Sequence, residues 1–274
     1  MIITMTEMWH NRLTGIALIV VALAVTGCGR RAIDRNRPAG MAFDSIVVDT
    51  VAMLTADKNS PRCIIKLNVK TAKGEHAALI NDSILRSGIL TPDYLSLSTM
   101  KMTPKHAVDS FLTMYIKDYK RFYTQVYRQE NNKEYAQLAY NLTTHVRGGK
   151  DGVTLYIAEL DNAYGGQSTQ YTIVKNIDER TGHLLRLSDV FVPGYEEALG
   201  EAILERLCEM TGKDKETLKE DRYFAAGHVY ATENFLLEDH CITFVYVTGE
   251  IADREKGEIR IDVYYSDIKG ILKN

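Results

Sequence analysis

Leu138-Ala139-Tyr140-Asn141-Leu142-Thr143-Thr144-His145-Val146-Arg147, followed at once by Gly148-Gly149-Lys150-Asp151-Gly152, decides the fold class. Leu138, Tyr140, Leu142, Thr144 and Val146 fall on one side of an extended chain, and Asn141, Thr143, His145 and Arg147 on the other. Strand side chains alternate between faces, so a period of two with one apolar side describes a half-buried strand. The glycine-rich pentapeptide that follows is a hairpin signal, and residues 153–164 form the returning strand. Gly165-Gly166 breaks that strand, and residues 168–177 form another. Asp178-Glu179-Arg180-Thr181-Gly182 then makes a turn in which Gly182 is free to take positive φ.

Outward from this block the pattern changes period. Upstream, residues 44–51 and 63–70 are strand-like, with Ile65, Leu67 and Val69 on one face, and a short helix fits residues 76–86. Thr103-Pro104 opens a long helix, residues 104–129. The Thr103 hydroxyl can accept from a free N–H, and Pro104 at the first helical position loses no bond it could have made. Val108, Phe111, Leu112, Tyr115, Tyr119, Phe122 and Val126 recur at helical spacing and predict one buried stripe. Tyr115, Tyr119, Tyr123 and Tyr127 repeat every four residues. They read as packed rings with phenol tips at the surface rather than as a stacking ladder for sugars. Downstream, Pro193-Gly194 opens a second helix with the stripe Tyr195, Leu199, Ala202, Ile203, Leu207 and Met210, and Gly212 ends it. Two last strands, 241–247 and 258–265, precede a turn that Ser266 can cap. These elements predict an α+β fold, a mainly antiparallel sheet packed against two main helices, with Leu199, Ile203 and Leu207 buried near Phe244.

The N-terminus carries a different signal. An apolar run over residues 13–24 follows Arg12. It is too short for a bilayer, which needs about 20 residues, and fits a secretory signal peptide. Val25-Thr26-Gly27-Cys28 resembles a bacterial lipobox. That resemblance implies cleavage before Cys28 and lipid on its thiol and new N-terminus. It places the protein in the bacterial cell envelope, lipid-anchored, with the periplasmic side of the outer membrane favoured over the cell surface. The alternative is a buried helix with a chance cysteine. The expected organisation is a signal peptide at 1–27 and a flexible tether at 28–42, followed by halves at 43–167 and 168–274 that form one compact unit.

Composition narrows the partners. The formal net charge is −3. Arg30, Arg31, Arg35 and Arg37 against Asp34 make residues 28–40 locally basic and leave the remainder acidic. An acidic body does not suit nucleic acid, which selects a basic face. The basic segment could rest on anionic headgroups or serve as a plain linker. The expected partners are therefore the membrane, through the lipid, and a glycan or envelope protein, with the oligomeric state open. Besides Cys28, Cys63, Cys208 and Cys241 remain; the number is odd, and no C-x-x-C spacing occurs.

Three stretches resemble the RsiV/PdaC-like extracytoplasmic domain family. They are residues 181–191, Thr-Gly-His-Leu-Leu-Arg-Leu-Ser-Asp-Val-Phe; Asn234-Phe235-Leu236-Leu237 with residues 242–246; and Glu250-Ile251-Ala252 with Gly257 and Tyr265-Ser266-Asp267-Ile268. In that family the domain occurs as the lysozyme-binding outer part of an anti-sigma factor and as the non-catalytic partner of a peptidoglycan deacetylase. The resemblance implies binding rather than catalysis. The family's hinge, Tyr-Gly-Gly-Ala-His-Gly, is here Tyr164-Gly165-Gly166-Gln167-Ser168-Thr169, without the histidine.

No catalytic motif is evident. The seven histidines show no H-x-x-x-H pair, and neither Gly-x-Ser-x-Gly nor a phosphate-binding glycine loop occurs. Glu238-Asp239-His240 reads as a solvated turn. We expect no catalytic residue, metal or cofactor. The candidate binding face is Asn141, Thr143, His145 and Arg147, extended by Tyr164 and Gln167, although a half-solvated sheet needs no ligand to explain it. Three readings follow: a non-catalytic binding lipoprotein, a glycan hydrolase with dispersed carboxylates, and a structural or assembly lipoprotein.

Overall fold

The computed structural model describes residues 33–96, 100–130, 132–225 and 227–273. The expected signal peptide and Cys28 lie outside these residues. Ala32–Asn274 forms one compact unit.

Strand β1 (Phe43–Met53) turns back antiparallel into β2 (Arg62–Ala72). Helices α1 (Ala77–Leu85) and α2 (Pro104–Glu130) then carry the chain across the sheet. Because the chain crosses before it returns, β3 (Leu138–Gly148) pairs parallel to β2. β4 (Val153–Tyr164), β5 (Gln167–Asp178) and the two-residue β6 (Leu184–Leu185) complete an antiparallel meander, giving the sheet order β1-β2-β3-β4-β5-β6. After the short α3 (Leu187–Val190), helices α4 (Glu196–Thr211) and α5 (Lys215–Glu220) lead to a second sheet of β7 (Phe235–Leu237), β8 (Cys241–Tyr246) and β9 (Ile259–Tyr264). The fold is α+β, as the sequence predicts. The second sheet departs from the single expected one. All three β7 residues are apolar and buried, so that strand shows no alternation to read.

Each face of the large sheet carries its own core. On one face Ile65, Leu67, Val69, Tyr140, Leu142, Tyr156 and Leu160 meet Ile80 and Ile84 of α1 and Val108, Phe111 and Tyr119 of α2. On the other, Leu155 and Val174 join Leu199, Ile203 and Leu207 of α4 and Phe235, Phe244 and Val245 of the small sheet. Each fully buried side chain of this kind contributes about 1.5–3 kcal/mol. The small sheet reaches only the β3–β4 hairpin end of this second face and the end of β5 beside it. The remainder, toward the β4–β5 hairpin, is left open.

The helices depart from their expected stripes at their ends. Phe122 is 56% exposed and lies under the Arg121 guanidinium, 4.4 Å from its ring centroid. Residues spaced by four advance about 40° around a helix at each step. The contact line therefore follows Tyr119, Tyr123 and Tyr127, which pack on the first core, and leaves Phe122 behind. Tyr119 donates to the Ala136 carbonyl at 3.1 Å. Met210 is likewise exposed, because α4 buries Leu199, Gly200, Ile203 and Leu207 and turns away at its last turn. Thr103 caps α2 as expected, accepting from the His106 N–H at 3.3 Å. Ser266 bonds Asp267 instead of capping the final turn.

Part of the expected tether is fixed to the fold. The Gly148 N–H donates to the Arg37 carbonyl at 2.8 Å. The Arg37 guanidinium donates to the Gly149 carbonyl at 2.9 Å and to Asp151 at 2.5 Å, and it also pairs with Asp239. In sequence these arginines read as a segment for anionic headgroups or a plain linker, but Arg37 meets Asp151 in the β3–β4 turn and Asp239 in the turn after β7.

Candidate functional site

Strand register turns the uncovered part of the second sheet face into ordered rows. Val51, Ile64, Ala139, Ala163 and Ser168 are successive partners across β1 to β5. The next row is Asp49, Lys66, Asn141, Asp161 and Gln170. The third is Val47, Asn68, Thr143, Glu159 and Thr172, and it ends at the edge of the open area, because Thr172 is buried beside Asn234 and Glu258. Neighbouring strands lie about 4.8 Å apart and rows about 7 Å apart, so the array covers about 19 by 14 Å. It grades from mostly apolar side chains at the hairpin end to polar ones at the centre.

Two depressions follow this grading. One, of about 560 Å3, is lined by Ile64, Ala139, Ala163, Tyr164, Gln167 and Ser168, with Lys133, Glu134 and Gln137 on its rim. The other, of about 640 Å3, is lined by Asn141, Thr143, Glu159, Asp161, Gln170 and Thr172, and is closed at its far end by Thr248, Gly257 and Glu258. Adjacent rows connect them, so they read as one groove running along the strands. Both ends of the groove are turns. The Gly165-Gly166 hairpin, with φ of +54° and +76°, forms one, and the β8–β9 loop forms the other. Tyr135 packs on Gly165, where a Cβ would lie 3.1 Å from its ring.

The polar groups of the groove floor are available. Among the described residues, Lys66, Asn141, Thr143, Asp161 and Gln170 enter no side-chain hydrogen bond or ion pair. Glu258 is engaged: it accepts the Thr172 N–H at 3.1 Å and pairs with Arg260 at 2.8 Å. His145, 57% exposed, lies 3.6 Å from Glu159 in the row beyond. Val47 and Val51 are solvent-facing at the β1 edge of the array.

The sequence-derived candidates therefore separate. Asn141, Thr143 and His145 stand on the open face. Tyr164 and Gln167 join them through the neighbouring depression rather than at the same spot. Arg147 does not belong. Its Nη1 and Nη2 donate to the Glu238 carboxylate at 2.7 and 2.5 Å, and the two side chains are only 14% and 4% exposed. The small sheet covers this end of β3, so Arg147 is an internal tie. Glu238, expected in a solvated turn, is its buried counter-charge. Lys66, Asp161 and Gln170 went unrecognised in the sequence. The signal was present, since each is a polar residue in an alternating strand, but only the register places them beside Asn141.

The described cysteines lie apart from this face. Cys63 and Cys241 are buried free thiols, and burial pushes each up to about 12. Cys208 is free and half-buried. Among the described residues, no group of three or more His, Cys, Asp or Glu is arranged to hold a metal ion. No helix among them is long and apolar enough to cross a membrane.

Comparison with known proteins agrees with this architecture. A DUF3298 family member from Bacteroides fragilis NCTC 9343 superposes with a TM-score of 0.73 at 22% identity, over 87% of this chain and 96% of that one. A DUF3298 family protein from Pseudomonas aeruginosa PAO1 gives a TM-score of 0.56 at 17% identity, over 85% of this chain and 94% of that one. At these identities the likeness is one of fold. No curated protein matches the chain. In sequence, residues 188–266, from α3 through β9, match the family described as "Protein of unknown function (DUF3298)".

Proposed function

We propose that this chain is a bacterial envelope lipoprotein whose folded unit is a non-catalytic binding domain. Its groove holds an extended glycan, and peptidoglycan fragments are the first ligand to try. The observation that carries this reading is the row Lys66, Asn141, Asp161 and Gln170: unpartnered donors and acceptors in register, beside a shallow apolar depression. A sugar chain offers the complement, with hydroxyls and amides for the polar row and C–H faces for the small apolar one. The lipobox resemblance at Cys28 supports the location, and the resemblance to the RsiV/PdaC-like family supports binding as the task.

One observation favours a second reading, a glycan hydrolase: Glu159 and Asp161 are neighbouring carboxylates on the groove floor. A glycosidase, however, sets its two carboxyls on opposite sides of the scissile bond. Here both rise from one strand on the same side, beneath any bound chain, which suits hydrogen bonding better than cleavage.

Two experiments test the proposal. Cys28→Ser should block lipidation and release the chain from the membrane fraction; unchanged fractionation and mass would remove the envelope anchor. Lipid-free chain, residues 29–274, should co-sediment with insoluble peptidoglycan and be released by soluble fragments. Retention of an envelope protein instead, with no glycan binding, would replace the glycan by a protein ligand.

A further inference from the structure

A second site lies farther along β5, on its approach to β6. There a cleft of about 320 Å3 is lined by Lys175, Arg186, Arg86, Asp93 and Glu233 together with neighbouring backbone. Among the described residues no hydrogen bond or ion pair joins Lys175 or Arg186 to Asp93 or Glu233, although the Glu233 charge acts on Lys175. Asp93 is occupied by the N–H groups of Leu95 and Ser96, at 3.3 and 3.0 Å. Glu233 accepts the Leu187 N–H at 3.3 Å. Arg86 is held by Asp82 and by the Leu95 carbonyl, both at 2.9 Å. Lys175 and Arg186, by contrast, enter no side-chain hydrogen bond or ion pair among the described residues.

A half-buried ammonium with no hydrogen-bond partner is costly, because it has lost water and only the charge of nearby Glu233 compensates in part. The titration of Lys175 reflects this. Burial pushes its pKa below the ordinary lysine range, nearby Glu233 offsets part of the effect, and the Arg186 charge adds to it. Two neighbouring cations in a cleft, Lys175 half-buried and Arg186 exposed, are the complement of a compact anion.

We propose that this cleft binds a small oxyanion, a phosphate or carboxylate group, held between the Lys175 ammonium and the Arg186 guanidinium. The site is distinct from the glycan groove and does not depend on it. A free anion and an acidic group on a larger ligand share this chemistry.

The test is titration of the lipid-free chain with inorganic phosphate, acetate and chloride at matched ionic strength, followed by amide chemical shifts. Saturable shifts at residues 174–176 and 184–187 with phosphate or acetate, but not with chloride, support the proposal. The stronger of the two identifies the type of group preferred. Lys175→Met should weaken that binding by about ten- to a hundredfold, as expected for loss of a charged hydrogen bond, and Lys175→Arg should restore most of it. Chemical denaturation provides the folding control, since Lys175→Met removes a half-buried charge that Glu233 compensates only in part and should change stability little. Equal shifts with chloride, or phosphate binding unchanged in Lys175→Met, would overturn the site.

Discussion

Removing Arg147 should be among the most damaging single changes in the protein. Its guanidinium is the only group among the described residues that satisfies the Glu238 carboxylate, which is 4% exposed. The pair is bidentate, and it ties the end of β3 to the β7–β8 turn. At an effective dielectric of about 20, two charges 4 Å apart attract by about 4 kcal/mol. Desolvation of both ions cancels much of that attraction in the intact pair. In Arg147→Met the cost of burying Glu238 remains and the attraction is gone, so the loss should be about 3–5 kcal/mol. Glu238→Leu should lose a similar amount by stranding Arg147. The double variant, apolar on both sides, should recover to within about 1–2 kcal/mol of the parent. Urea unfolding followed by circular dichroism reads this cycle directly. With a slope of about 2–3 kcal/mol per molar urea, each single change should lower the midpoint by about 1–2 M. Single losses under about 1 kcal/mol, or a double variant that simply adds the two losses, would refute the reasoning.

Two further predictions concern the same fold. Ile203, fully buried against the small sheet, should cost about 2–5 kcal/mol when cut to alanine, and a loss under about 0.5 kcal/mol would mean that α4 does not pack there. Asp178 should shape the acid limb of stability. Burial alone would raise its pKa, but hydrogen bonds from the Thr181 and Arg180 N–H groups, at 2.8 and 2.9 Å, hold it below the ordinary 3.8. Its contribution is therefore present above pH 3.8 and lost as the pH falls through the lowered folded value. Asp178→Asn should remove part of the stability at neutral pH and flatten the decline at acid pH; an unchanged pH profile would contradict this.

Much of the fold was legible in the sequence because its signals are local. The alternation over residues 138–147 and the glycine turn after it mark β3 and its hairpin directly. Thr103-Pro104 and Gly212 mark helix ends through capping chemistry that needs no tertiary partner. What sequence could not show depends on contacts distant along the chain. Arg147 looks identical to Asn141 and Thr143 in the alternation, and only Glu238, far downstream, makes it internal. Arg37 sits in a stretch with every mark of a linker, yet it meets Asp151 and Asp239. The candidate site was half legible for the same reason. Asn141, Thr143 and His145 follow from the period of one strand. Lys66, Asp161 and Gln170 follow only from the register of three others.

We propose that the open rows of the large sheet are where this protein meets its ligand. The most direct measurement is amide chemical-shift mapping of the lipid-free chain titrated with soluble peptidoglycan fragments. The account predicts saturable shifts concentrated at residues 139–143, 159–163 and 168–172, lost in an Asn141→Ala, Asp161→Ala double variant whose urea midpoint matches the parent's. Shifts centred instead on α2 or the small sheet, or fragment binding unaffected in that double variant, would contradict it.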